Sequence, residues 1–229
     1  MTAQLEEDNA KMRKRIKRMR RKILRERITK HSEGFLDGII AMLRPGDLVV
    51  DCGANVGEVT RKLAASGADV VSFEPDPWAF SQLQAVAADL PNVTPINAAV
   101  GAEDSELMLF RADGFDDDPK AASVSSTIVP GKKNVDQAGT GTLVKVIDFP
   151  AWLEAQMAEG RNVAMIKIDI EGAELDLLEA MFARDLPARV GPMLVETHEK
   201  QFPAERHRFE ALREKAASYP AGRVNLDWI

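Results

Sequence analysis

A chain of 229 residues, 45% hydrophobic and 29% charged, is long enough for one medium-sized globular domain with an appendage. The net charge is −6, and Cys52 is the single cysteine, which excludes an internal disulfide and fits a reducing compartment. No apolar run is long enough to cross a bilayer, and no hydrophobic region follows the basic N-terminus, so we expect a cytoplasmic protein.

The positive charge is concentrated at the N-terminus. Residues 1–30 carry 12 Lys/Arg against 4 Asp/Glu, while the remainder of the chain has a net charge of −14. Residues 11–30 contain neither Gly nor Pro, which predicts a helix. Six side chains recur at alternating gaps of four and three, the spacing of a heptad seam: Leu5, Asn9, Met12, Ile16, Met19 and Ile23.

This basic arm, residues 1–33, has three interpretations. The seam predicts a short coiled coil that pairs two copies of the chain. The Lys and Arg side chains would also suit an anionic membrane surface, nucleic acid or a polyanionic substrate. Nucleic acid is disfavoured, because no aromatic residue interleaves the charges to stack on bases. A solvated and partly disordered arm is the third interpretation.

Helices and strands alternate after the arm. Helices are predicted at 34–43, 56–66, 78–90, 149–159, 173–184 and 204–217, and strands at 48–51, 69–73, 93–97, 106–110, 143–146, 163–170, 192–197 and 223–228. This order predicts an α/β domain over residues 34–229, with a mostly parallel sheet and helices on both faces. Residues 111–141, rich in Asp, Ser, Gly and Lys, are predicted to form a long loop over one edge of the sheet.

A glycine-containing turn follows the first strand, as in nucleotide-binding α/β folds. Gly53 and Gly57 allow a sharp turn and close approach of a ligand, and Asn55 tolerates a positive φ between them. Glu74 ends the second strand 23 residues after Asp51, at the spacing of an acid that accepts from both ribose hydroxyls. These features suit either a dinucleotide or S-adenosylmethionine. Asp51 would repel the pyrophosphate of a dinucleotide, whereas it suits the cationic amino group in the methionine part of S-adenosylmethionine.

Charged side chains also mark the carboxyl ends of two later strands. Lys167, Asp169 and Glu171 share one face of the strand 163–170. Asp169 and Glu171 are suited to hold the donor, the acceptor or a divalent cation, whereas an ion pair with Lys167 is the structural alternative. After the next strand, Glu196 and His198 lie on one side.

These residues are the candidates for proton transfer. We expect His198 to be the general base, with Glu196 or Asp169 orienting its ring, and Asp169 is the rival base. In the long loop, Ser125 and Ser126 are candidates to bind a polyhydroxylated acceptor.

Four sequence blocks together resemble the FkbM family of class I O-methyltransferases: residues 51–57 (DCGANVG), 73–75 (FEP), 97–101 (NAAVG) and 167–174 (KIDIEGAE). The resemblance spans about residues 48–199. It implies a Rossmann-like class I methyltransferase sheet, S-adenosylmethionine as donor, and usually a hydroxyl acceptor on a sugar, glycan or natural product.

The resemblance also implies roles for individual residues. It places the methionine part of the donor against the first turn, at Asp51, Gly53, Asn55 and Gly57, and the ribose on Glu74. Ala98 and Ala99 would lie beside the adenine, and Asn97 or backbone groups would replace the acid that many methyltransferases carry near there. The alternatives are an NAD-dependent oxidoreductase and a non-catalytic nucleotide-binding module whose basic arm binds nucleic acid or membrane.

Overall fold

A computed structural model of the chain describes residues 2–111, 115, 117–123, 126–129 and 141–228, with the side chains of 2–7, 10 and 121 excepted. The described chain divides into two units, with the boundary between Ala41 and Met42. The sequence predicted that boundary after residue 33. Among the described helices, none is long and apolar enough to traverse a lipid bilayer.

The helices and strands are numbered in chain order. They are α1 (Thr2–Ile40), β1 (Asp47–Cys52), α2 (Glu58–Ala64), β2 (Asp69–Phe73), α3 (Pro77–Ala87), β3 (Val93–Ile96), β4 (Ala99–Gly101), β5 (Ser105–Leu109), α4 (Pro119–Ser123), β6 (Thr142–Asp148), α5 (Phe149–Ala158), β7 (Asn162–Ile168), α6 (Glu174–Ala183), α7 (Leu186–Arg189), β8 (Met193–Val195), α8 (Arg206–Ala217) and β9 (Val224–Asn225). Two short 3₁₀ turns, Glu199–Gln201 and Pro203–Glu205, lie between β8 and α8.

The N-terminal unit is one helix of 39 residues, α1, where the sequence predicted two helices separated at residues 31–33. Gly34 and Gly38 each cost about 1 kcal/mol relative to alanine, but the helix contains no proline, so its hydrogen bonding is not interrupted. The seam residues Met12, Ile16, Met19 and Ile23 are 43–57% exposed on α1.

The second unit is built on a six-stranded sheet of order β3-β2-β1-β7-β8-β9, in which every pair is parallel. This confirms the predicted α/β class with a mostly parallel sheet. From β1 the chain runs outward through β2 and β3, and it later returns on the other side of β1 as β7. Ligands in open α/β sheets bind at such a switch point, outside the carboxyl ends of the strands.

A separate three-stranded sheet, β4-β6-β5, was not predicted. Its strand β4 lies only two residues after β3 and pairs in parallel with β6, while β5 pairs antiparallel with β6. The three-residue β4 is too short to show a period of its own. The predicted loop 111–141 contains the short helix α4, and its Thr127 forms an antiparallel bridge with Phe110, just before the loop.

The core lies on both faces of the large sheet. Strand β1 is buried over Leu48, Val49, Val50 and Cys52, as expected for a central parallel strand covered on both sides. On one face Phe73 packs edge-on against the rings of Phe149 and Trp152. This packing holds the central strands in place, and with them the residues that follow each strand at its carboxyl end.

Candidate active site

A cavity of about 520 Å³ opens at the carboxyl edge of the large sheet. Its wall includes the first residue after each of four adjacent strands: Glu74 after β2, Gly53 after β1, Asp169 after β7 and Glu196 after β8. The volume falls within the range of small-molecule sites, about 300–1,000 Å³. The strand order therefore brings together residues that are up to 143 positions apart in the sequence.

The glycine turn after β1 is shaped by neighbouring backbone. Gly53 has φ +77, and a Cβ there would lie 1.8 Å from the carbonyl oxygen of Asp169. Gly53 was predicted to allow a sharp turn and the approach of a ligand. It lines the cavity, and the structure adds a further reason for a glycine here, the close approach of the chain after β7. Gly57, with φ +84, precedes α2 and packs against Leu83, and it does not line the cavity. Asn55 has φ +49, as expected, and lines the cavity.

Glu74 is held at the cavity wall by two backbone donors. Its Oε2 accepts from the Asn55 amide at 2.8 Å and its Oε1 from the Asp76 amide at 2.8 Å. Burial raises the pKa of Glu74 to about 7, against the opposing effect of these two hydrogen bonds. The carboxyl group is therefore fixed in orientation, at the edge that the sequence analysis predicted.

The segment after β3 reaches the cavity through its alanines. Ala98 and Ala99 line the cavity, and their position beside an adenine stays a prediction. Asn97 is not among the residues that line it. Its side-chain amide instead donates to the carbonyl oxygens of Glu74 and Pro75, at 2.8 and 3.2 Å, and so supports the turn after β2.

Asp51 does not line the cavity, contrary to the predicted contact with a methionine amino group. Its carboxylate is fully buried beneath the turn, with Oδ1 3.2 Å from Lys167 Nζ and Oδ2 accepting from Thr60 Oγ1 at 2.7 Å. Asp51 and Lys167 are register partners on the parallel strands β1 and β7, so their side chains lie side by side.

Lys167 joins the turn to the acidic edge of the cavity. Its ammonium donates to the Gly53 carbonyl at 2.7 Å and lies 3.8 Å from Asp169 Oδ2. Burial alone would lower the pKa of Lys167, but the carboxylates of Asp51 and Asp169 raise it above its ordinary value, so the ammonium stays charged. Sequence reasoning considered Lys167 only as a partner of Asp169 or Glu171. The signal that was missed is a lysine in the buried strand β7, which can pair with an aspartate in the neighbouring strand β1.

His198 is held between two glutamates. Its Nδ1 lies 3.0 Å from Oε1 of the fully buried Glu174, and its Nε2 lies 3.2 Å from Oε2 of Glu171. Burial lowers the pKa of His198, but the hydrogen bond and charge of Glu174, together with the charge of Glu171, raise it overall to about 9. At neutral pH the ring therefore carries two protons and has no free nitrogen to act as a base. The predicted partners Glu196 and Asp169 are not the ones that its nitrogens contact.

Glu174 was not among the predicted site residues. It is the first residue of α6, and its Oε1 also accepts from the amides of Ile170 and Gly172, at 3.1 Å each. These bonds fold the chain after β7 back on itself, and Glu171 takes φ +56 within that fold. The sequence did offer a signal for Glu174. It lies three residues after Glu171 at the start of a predicted helix, where a glutamate can accept from backbone amides.

Glu196 stands beside this cluster and lines the cavity. Burial, followed by the charges of Asp169 and Glu171, raises the pKa of Glu196 to about 7, with His198 acting in the opposite direction. The structure thus gathers four of the predicted residues, Asp169, Glu171, Glu196 and His198, around one edge of the cavity.

The described part of the 111–141 segment borders the cavity. Ser123, in α4, donates to Asn55 Oδ1 at 3.1 Å, and Thr127 Oγ1 donates to the Glu171 carbonyl at 2.7 Å. Ser126 lines the cavity, and its buried hydroxyl has no hydrogen-bond partner among the described residues. Ser125, the other predicted acceptor residue, lies outside the described residues.

The model of the methyltransferase FkbM domain matches residues 51–219, about three quarters of the chain. The chain belongs to the FkbM methyltransferase family. The match confirms the resemblance drawn from the four sequence blocks and includes all of the cavity residues described above. No curated protein matches the chain significantly.

Three of the solved structures that match the chain show how far the similarity extends. A candidate rRNA-methylase from Clostridium thermocellum is 27% identical over 28% of this chain and 38% of its own, with a TM-score of 0.26. The precorrin-6y C5,15-methyltransferase of Geobacter metallireducens is 10% identical over 80% and 70%, with a TM-score of 0.40. A TehB-like SAM-dependent methyltransferase from Corynebacterium glutamicum is 13% identical over 78% and 71%, with a TM-score of 0.36. This chain thus spans under two fifths of the length of the Clostridium thermocellum protein. The family assignment depends on the domain match alone.

We predict that Lys167→Met lowers the free energy of unfolding by about 3–5 kcal/mol, because it leaves the buried charge of Asp51 without a partner. The double variant Asp51→Asn/Lys167→Met should recover most of that loss. Urea unfolding followed by tryptophan fluorescence measures both. The exposed Lys145→Met is the matched control and should stay within about 0.5 kcal/mol of the natural protein. A loss below 1 kcal/mol, or no recovery in the double variant, would contradict the assignment.

Proposed function

We propose that this FkbM-family methyltransferase transfers the methyl group of S-adenosylmethionine to a hydroxyl oxygen on a sugar, glycan or natural-product acceptor. The observation that carries the donor assignment is Glu74, a buried carboxyl group oriented by two backbone amides at the wall of the cavity. A carboxylate so placed can accept from two adjacent ribose hydroxyls at once.

The remaining wall fits such a donor. The small side chains of Ala98 and Ala99 leave room for a flat base next to the ribose site. Asp169, Glu171 and Glu196 give the opposite end of the cavity a negative edge that favours a cationic group. When bound, S-adenosylmethionine supplies an electrophilic methyl group, and the protein's own contribution is to align the reactants and exclude water.

The same negative edge favours this donor over a dinucleotide. Asp51, which was expected to repel a pyrophosphate, is buried and neutralised by Lys167. Asp169, Glu171 and Glu196 line the cavity, and each would repel a phosphate group.

Glu196 is the group we propose to take the proton from the acceptor hydroxyl. Both nitrogens of His198 face glutamates, and the Asp169 carboxylate lies near Lys167. The Glu74 oxygens are engaged by backbone amides. Glu196 lines the acidic edge and has a pKa of about 7, close to the pH at which a general base works best. His198 lies beside it as a positive charge that holds the cluster together.

The basic helix α1 is proposed to pair two copies of the chain through Met12, Ile16, Met19 and Ile23, whose side chains lie exposed at heptad spacing. Peripheral contact with an anionic membrane through the Lys and Arg side chains is the competing proposal. A cytoplasmic location and a small-molecule or glycan acceptor also stay predictions.

We predict that Glu74→Gln weakens S-adenosylmethionine binding by about 1–3 kcal/mol at pH 8, because the amide keeps only one acceptor oxygen. In the natural protein the affinity should fall as the pH drops from 8 to 6, by up to about tenfold per unit below 7, as the carboxyl group gains a proton. Calorimetric titrations at three pH values measure this. Asp89→Asn, on the exposed surface, should match the natural protein. Glu74→Gln should show a weaker pH dependence, with the remainder due to Glu196, whose pKa is also about 7. Equal affinities for natural protein and Glu74→Gln would remove Glu74 from the site.

The transfer itself is tested with methyl-labelled S-adenosylmethionine and fractionated cell extract. We expect label on a hydroxyl oxygen of the acceptor. Glu196→Gln should lower incorporation at saturating donor by about 10²–10⁴-fold, the usual effect of losing a general base. Donor affinity should fall much less, because two of the three carboxylates at the acidic edge are kept. Glu154→Gln, a surface glutamate, is the control. Label on nitrogen or carbon would overturn O-methylation, and a chain that binds NAD but not S-adenosylmethionine would overturn the donor.

For α1, we predict that the full-length chain is a dimer in light scattering and that Ile16→Ser/Ile23→Ser halves the mass by interrupting the seam. Met42→Ser, which changes an exposed methionine outside α1, should leave the dimer intact. An unchanged mass in the Ile16→Ser/Ile23→Ser variant would reject the coiled coil. Binding to anionic vesicles that is lost on adding salt would favour the membrane proposal instead.

A further inference from the structure

Three ligand atoms of metal-binding type converge at the acidic edge of the cavity. Asp169 and Glu171 follow β7, and His198 follows β8. One carboxylate oxygen of each acid and one ring nitrogen of His198 all lie within 4.8 Å of one another. Two carboxylate oxygens and one imidazole nitrogen form a donor set suited to a divalent ion, and the open cavity leaves positions for water or substrate oxygen.

The surroundings of His198 match those of a metal-binding histidine. Such a residue usually donates its second ring N–H to a carboxylate, which fixes the tautomer and the direction of the coordinating nitrogen. Here Nδ1 lies 3.0 Å from Glu174 Oε1, and the fully buried Glu174 is itself anchored by the amides of Ile170 and Gly172. Nε2 is thereby directed toward Glu171.

Asp169 supplies an independent observation. Its Oδ1 is inaccessible to solvent and has no hydrogen-bond partner among the described residues. The other oxygen, Oδ2, lies 3.8 Å from Lys167 Nζ. A buried carboxylate oxygen without a partner is costly, and a bound cation would satisfy it. The local charge also favours a cation, because Asp169, Glu171, Glu174 and Glu196 outnumber Lys167 and His198.

We propose that Asp169, Glu171 and His198 bind one divalent transition-metal ion, which displaces the proton from His198 Nε2, with Glu174 as the positioning residue behind His198. The mixed oxygen and nitrogen donors favour an ion such as Mn²⁺ over Mg²⁺ or Ca²⁺, which prefer oxygen ligands alone. The role of the ion rests on the proposed function: next to Glu196 it would hold the acceptor hydroxyl oxygen and make its proton easier to remove.

Titration of the full-length, EDTA-treated chain with MnCl₂, by calorimetry and by the loss of the free-ion electron paramagnetic resonance signal, tests the site. We expect one ion per chain. Asp169→Asn, Glu171→Gln and His198→Asn should each weaken binding at least tenfold. Glu174→Gln should weaken it by about 10–100-fold, the usual effect of removing a carboxylate behind a metal-bound histidine.

Two controls separate this site from surface carboxylates and histidines. Glu154→Gln and His207→Asn, both away from the cavity, should bind Mn²⁺ as the natural protein does. Circular dichroism establishes that each variant is folded. Glu171→Gln should disturb the fold least, because Glu171 lies at the cavity wall. Absence of binding to the natural chain, or binding that survives Glu171→Gln and His198→Asn unchanged, would overturn the proposal.

A parallel titration with S-adenosylmethionine distinguishes this proposal from the proposed function. Donor binding without Mn²⁺ binding overturns the metal site alone. Binding of Mn²⁺ that depends on the three ligands, without donor binding, supports the metal site and overturns the donor assignment.

Discussion

Lys167 and Asp51 meet from neighbouring parallel strands at a depth where solvent reaches almost none of either side chain. Taking two opposite charges out of water is costly unless each finds further polar partners. Thr60 supplies a donor to Asp51, and the Gly53 carbonyl accepts from Lys167. The ion pair therefore fixes the turn after β1 to the end of β7, and it holds the two central walls of the cavity in register.

The acidic edge depends on that pair. Because Lys167 also lies near Asp169, one buried ammonium partly neutralises two carboxylates and lets the chain after β7 carry further acids. Glu174 and Glu171 then enclose His198, which contributes the second positive charge. Glu196 faces this balanced cluster at the cavity wall. The end of the cavity at Glu74, by contrast, is organised by backbone: Glu74 is oriented by amides, and the turn at Gly53 is pressed against the carbonyl of Asp169.

Linear spacing was enough for some of this arrangement. The alternation of strands and helices gave the parallel sheet, and the interval from Asp51 to Glu74 identified an acid that does lie at the cavity wall. The spacing of residues along the sequence could not predict how neighbouring strands align. The pairing of Asp51 with Lys167, the contact of Gly53 with Asp169 and the position of Glu174 behind His198 all depend on how β1, β7 and β8 align. The three residues of β4 show no readable period, and the break predicted at residues 31–33 does not occur in α1.

The most direct measurement is a crystal structure of the chain with S-adenosylhomocysteine, the product that the proposed reaction leaves behind. The account predicts both ribose hydroxyl oxygens at about 3 Å from the Glu74 carboxylate, with Asp51 still paired to Lys167 beneath the turn. A nucleoside bound away from Glu74, or an Asp51 carboxylate released from Lys167 to contact the ligand's amino group, would contradict it.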